Sequence, residues 1–125
     1  RAYDLKCNSR KFDDRAKAIA FVRKNLDQGN PLVVEFLIGN TMVNADDEIL
    51  FYGSKTPEDL RLWVPRIKGQ RNSGGHAIVL AASFEQSGSL MAVAVDSDWN
   101  APRVWNVDRY LGQSEIDEVE FHTCK

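Results

Sequence analysis

Apolar residues recur in several rhythms along the 125-residue chain. From Phe12 to Asp27 the positions Phe12, Ala16, Ile19, Ala20, Val22 and Leu26 recur at three- and four-residue spacings. That spacing predicts a helix with one buried face, opened by Asp13 and Asp14 and released at Gly29. After Pro31, Leu32–Ile38 is apolar except for Glu35 and short enough to be a buried strand. Two more apolar runs, His76–Ala82 and Leu90–Val95, flank the polar stretch Glu85-Gln86-Ser87-Gly88-Ser89, which reads as a hairpin. Glu118–Cys124 alternates apolar and polar residues and is expected to be a half-exposed final strand, with His122 on the solvent side beside Glu118 and Glu120 and without chemistry.

The intervening stretches are less regular. Residues 1 to 11 place only Tyr3 and Leu5 in alternation, enough for a short edge strand. Between Gly39 and Asn72 a short strand is expected at Ile49–Gly53. Thr56-Pro57-Glu58-Asp59 reads as the start of a brief helix carrying Leu60, Leu62, Trp63, Val64 and Ile67 and stopped near Pro65. Beyond the hairpin, Asn100-Ala101-Pro102 forms a bend, Arg103–Trp105 a strand and Val107–Leu111 a helical turn. The whole is one α+β domain over residues 1–125, a mostly antiparallel sheet with one main packed helix.

Composition narrows the function classes. The chain is 43% hydrophobic and 27% charged, the balance of a globular protein with a core. A formal charge of −2 supplies no basic footprint for nucleic acid, and no apolar run reaches the ~20 residues that span a bilayer. Neither nucleic acid nor membrane is expected as a partner. The first residue is Arg, which reads as a processed or excised piece of a longer chain. Two cysteines, Cys7 and Cys124, lie near the two ends. They form either a disulfide, which implies an oxidising compartment and favours a secreted protein, or a pair of reduced thiols. The acidic run Asp46-Asp47-Glu48 lacks the alternating oxygen ligands and the glycine of a calcium loop, so a solvated turn is expected. Glu35 is an acid with a function, the partner of a buried Arg, or a carboxylate exposed to water on an edge strand or at a strand end. No metal or cofactor is implied.

The candidate chemistry lies in the hairpin. Asn72-Ser73-Gly74-Gly75 is a turn-forming approach that delivers His76 to the start of its strand, with Ser73 a turn former rather than a nucleophile. Residues opposite each other in an antiparallel pair share a face. A five-residue loop places His76 opposite Asp98, a three-residue loop opposite Asp96, and a four-residue loop opposite Ser97. In two of these registers a carboxylate faces an imidazole, as when a carboxylate orients a catalytic base.

Several motifs, in order, resemble the papain-like cysteine peptidases. Gly75-His76-Ala77-Ile78-Val79-Leu80 resembles the strand carrying their catalytic base, and Asp96-Ser97-Asp98-Trp99-Asn100 the element carrying the residue that orients it. Gly29–Phe36 is similar to the strand before the His segment, and Trp105–Leu111 to the strand and short helix that follow the orienting Asp in bacteriocin-processing peptidases and bacterial effector proteases. The likeness runs over roughly residues 12 to 112. It implies a papain-like fold, a peptide or protein substrate, His76 as general base and Asp96 or Asp98 as orienter, with Trp99 shielding that pair or serving as a core aromatic. It also implies a thiol nucleophile, which peptide cleavage, side-chain deamidation and acyl transfer would all use.

The nucleophile departs from the pattern. The family's Cys opens a long apolar helix and follows a Gln, whereas Cys7 precedes Asn8-Ser9-Arg10-Lys11 and no Gln stands upstream. Three expectations therefore stand together. The thiol comes from a separate chain or an N-terminal segment, Cys7 serves in an altered topology, or the domain has kept the fold as a non-catalytic peptide- or protein-binding module.

Overall fold

The computed structural model describes residues 6–39, 41–44, 49–51, 61–99 and 101–124. Strand β1 (Cys7–Arg10) leads into helix α1 (Arg15–Asp27), and β2 (Leu32–Ile38), β3 (Thr41–Asn44), β4 (Ile49–Phe51) and β5 (Arg61–Leu62) follow. The long β6 (Gly74–Gln86) and β7 (Ser89–Val95) form the hairpin. Then come β8 (Arg103–Asn106), helix α2 (Val107–Gly112), a 3-10 turn (Ile116–Glu118) and β9 (Glu120–Cys124). The protein is α+β, built on an antiparallel six-stranded sheet in the order β1-β9-β2-β6-β7-β8, with both helices packed on it. A smaller sheet has the order β4-β3-β5.

Helix α1 starts where its N-terminal amides find an acceptor. Asp14 is the N-cap and its carboxylate accepts from the Lys17 amide at 3.1 Å. Its buried face is Ala18, Val22, Asn25 and Leu26, with Ile19 and Phe21 packed beside them, while Ala16 and Ala20 point to solvent. Of the expected stripe, Phe12, Ile19, Val22 and Leu26 do face the core, and only Ala16 and Ala20, small enough to sit on either face, fall outside it. Phe12, Phe21 and Phe121 form an aromatic triangle with centroids 5.2 to 5.8 Å apart, joining the approach to α1 and its outer turn to β9.

Strand β2 alternates as the pleat requires. Leu32, Val34, Phe36 and Ile38 are buried, whereas Val33 and Glu35 face out. Glu35 is thus a solvent-facing carboxylate on an interior strand rather than one at a sheet edge.

Leu62–Ile67 is extended rather than helical: β5 ends at Leu62, and Ile67 makes a bridge to Ser114. Pro65 explains the difference, since it lacks an amide proton and disfavours helical geometry at Val64 before it. Backbone bonds instead tie this segment to its neighbours, Arg66 N–H to Leu37 O at 2.7 Å and Glu115 N–H to Arg66 O at 3.0 Å. The Arg66 guanidinium donates to both carboxylate oxygens of Glu118, and that hydrogen bonding holds it above the ordinary arginine pKa. The helix start at Thr56–Asp59 and the acidic run at residues 46–48 lie outside the described residues.

The final strand begins at Glu120 rather than Glu118, which belongs to the 3-10 turn. Cys7 and Cys124 are directly opposed on β1 and β9 and joined by a disulfide, 117 residues apart in sequence.

Candidate functional site

The hairpin closes through a two-residue turn, Ser87-Gly88, with φ of 53° and 81°. Both residues occupy the left-handed region, as a type I′ hairpin turn demands, and Gly at the second position meets this without strain. The turn is shorter than the three-, four- and five-residue loops expected from the sequence. A regular ladder continued from it would put Leu80 opposite Val95 and leave His76 and Asp96 on opposite faces. A β-bulge between Leu80 and Ala82 shifts the register by one, so that Leu80 pairs with Ala94 and Val79 with Val95. His76, Ile78 and Leu80 then share the helix-covered face with Leu90, Ala92, Ala94 and Asp96.

The ladder stops at Val95, and the chain turns through a Trp99 N–H to Asp96 O bond of 3.0 Å. From this corner Asp96 reaches diagonally across to β6, and His76 Nε2 lies 2.5 Å from Asp96 Oδ2. The Asp96 side chain is wholly buried and that of His76 is 16% exposed. Asp96 Oδ1 accepts from the Asp98 backbone N–H at 2.9 Å. The carboxylate is therefore held at both oxygens, and the second bond stops it rotating away from the ring. Asp98 supplies a backbone amide here, while its side chain is exposed.

Two aromatic rings lie beside the imidazole. Phe36, paired with His76 across β2 and β6, has its ring centroid 6.0 Å away, and that of Trp63 lies at 5.8 Å. Trp105, fully buried, stacks on Phe36 at 6.3 Å and donates its indole N–H to the Trp63 carbonyl at 3.1 Å. One buried indole thereby positions both flanking rings. Trp99 packs partly buried against the core, with the Arg103 guanidinium 5.2 Å above its ring.

On the approach side, Asn72 Oδ1 accepts from the Gly74 N–H at 2.9 Å, and Gly74 takes φ of 140°. Ser73 N–H donates to Ile38 O at 2.7 Å, which seats the turn on the end of β2.

Among the sequence-derived candidates, then, the structure brings together His76 and Asp96, with Asp98 beside them. Cys7 lies elsewhere. Its sulfur is bonded to Cys124, and β1 is three strands from β6, roughly 14 Å across the sheet before any offset along the strands. Phe36 and Trp63 escaped the sequence reading. Phe36 was visible only as a core position, and Trp63 sat in a segment read as helix.

The arrangement can hold an imidazole with one nitrogen engaged by a buried carboxylate and Nδ1 without a hydrogen bond to any described residue. His76, Asp96 and Asp98 also bring three potential metal-ligand atoms within 4.8 Å of one another. Comparison with known proteins adds no relative: no family model, no curated protein and no solved structure matches this chain.

Proposed function

We propose that this domain carries the base and orienting residue of a papain-like cysteine amidase, with the thiol supplied from outside the 125 residues. The observation that carries the reading is the 2.5 Å contact between His76 Nε2 and the fully buried Asp96 carboxylate, which leaves Nδ1 as the ring's proton acceptor. In this scheme Nδ1 takes the proton of the thiol, and the thiolate attacks the carbonyl carbon of a peptide or side-chain amide. His76 returns that proton to the leaving nitrogen as the C–N bond breaks. Water then attacks the thioester with His76 again as base, releasing the acid and restoring the thiol. Asp96 holds the ring in the required tautomer and offsets the charge it acquires. Both cysteines of the chain are bonded to each other, so neither offers a thiol in this state. The same bridge favours an oxidising setting.

That pairing also favours a second reading, a peptide- or protein-binding module on the same fold. The two separate in one experiment, in which the protein isolated from its source is incubated with a mixed peptide library and products and retained peptides are read by mass spectrometry. The amidase reading predicts cleavage or deamidation that thiol alkylation abolishes and His76→Gln reduces at least ~100-fold. Gln can still donate to Asp96 but cannot take a proton. Hydrolysis indifferent to alkylation or to His76→Gln contradicts the amidase, and retained peptides without turnover support the binding module.

A further inference from the structure

On the face of the sheet away from the helices, three side chains with metal-binding atoms converge. Glu120 and His122 lie two residues apart on β9, so the pleat puts them on one face. Glu35 stands directly opposite Glu120 on the adjoining β2. The resulting cluster places Glu35 Oε1 2.9 Å and Glu120 Oε1 3.3 Å from His122 Nε2, with all three ligand atoms within 4.8 Å of one another. Neither carboxylate lies along the axis of a hydrogen bond to that nitrogen. Nε2 is buried and has no hydrogen-bond partner among the described residues. A buried ring nitrogen flanked by two off-axis carboxylates is unsatisfied as a hydrogen-bonding group.

We propose that Glu35, Glu120 and His122 form a binding site for a divalent transition-metal cation of the zinc class. Ligand atoms held ~2.0–2.1 Å from one ion lie about 2.9 Å apart at a right angle and about 3.4 Å apart at the tetrahedral angle. The two separations at His122 correspond to those spacings. The other ring nitrogen is also provided for, since His122 Nδ1 lies 2.7 Å from Ser9 Oγ on β1, directly across from it. An Nδ1–H donated to that hydroxyl leaves the Nε2 lone pair for the metal, as a ligating imidazole requires. Two carboxylates and a neutral imidazole total −2, which one divalent cation balances. Glu35 is 54% exposed, so the site opens to water on that side and keeps a coordination position for it. The ion would cross-link β2 and β9, and through Ser9 it would engage β1. The site is separate from the His76 dyad.

The test is calorimetric titration of the chelator-treated protein with Zn²⁺, and with Co²⁺ for its visible spectrum. One equivalent should bind, with the melting temperature rising as the site fills. His122→Ala and Glu120→Gln should each weaken binding at least tenfold, and Ser9→Ala should weaken it through the ring orientation. Glu35→Gln alters an exposed side chain, so its loss of affinity is read on a folded protein. His76→Gln should leave the titration unchanged. No binding, binding indifferent to His122→Ala and Glu35→Gln, or binding lost in His76→Gln would each overturn the proposal, the last by moving the ion to His76, Asp96 and Asp98.

Discussion

Replacing His76 by phenylalanine lowers the unfolding free energy by about 3–5 kcal/mol, although the new ring keeps Phe36 and Trp63 as aromatic neighbours. The loss comes from the partner left behind. Asp96 is wholly buried, and without the imidazole its carboxylate retains the Asp98 amide as its hydrogen-bond donor among the described residues. Removing both members of the pair changes the outcome. His76→Phe combined with Asp96→Leu should recover most of the stability, since apolar side chains of similar volume carry no desolvation cost. It should fall short of wild type by about 1 kcal/mol for the Asp98 amide, which loses its acceptor. Denaturant titration of the wild type, the two single variants and the double variant gives the coupling energy directly. Additive losses would show that the pair contributes nothing as a pair.

The second large effect is expected at the disulfide. Cys7→Ser with Cys124→Ser should destabilise the domain by about 2–5 kcal/mol, toward the upper end because the bridge spans 117 residues and a long loop restricts the unfolded chain most. The folded sheet should survive the change locally, because β1 pairs with β9 over four residues whether or not the sulfurs are joined. The expected signature is thus a lower denaturation midpoint with an unchanged native circular dichroism spectrum. Reduction of the wild type should match the double variant. A midpoint unmoved by either treatment would show that the bridge constrains little.

How much of this was legible in the sequence varied with the cause of each feature. The helix over residues 13–27, strand β2, the hairpin and the strand–helix pair after it follow from local periodicity, and they appear where periodicity placed them. The face of α1 was harder, because its alanines carry little hydrophobic signal. The register of the hairpin depends on the Ser87-Gly88 turn and the bulge at Ala81, neither of which an apolar pattern discloses. Asp96 and Asp98 were both visible as carboxylates near His76. Choosing between them required knowing that the ladder ends at Val95 and that the Asp96 side chain turns inward while the Asp98 side chain does not. His122 was assigned to solvent on alternation alone. Alternation does not reveal that Glu35 of one neighbouring strand and Ser9 of the other meet it there. Trp63 was misplaced because the apolar spacing at residues 60–67 suits a helix, while Pro65 favours extended backbone just before it.

The proposed chemistry requires that Asp96 hold His76 with Nε2 as the hydrogen-bonded nitrogen, leaving Nδ1 to accept the proton. Long-range nitrogen–proton NMR correlation of the neutral imidazole, on protein labelled with ¹⁵N-histidine, reads the tautomer directly. The expected result is a proton on Nε2, a bare Nδ1 and loss of that preference in Asp96→Leu. A proton resident on Nδ1, or a tautomer unchanged when Asp96 is replaced, would contradict it.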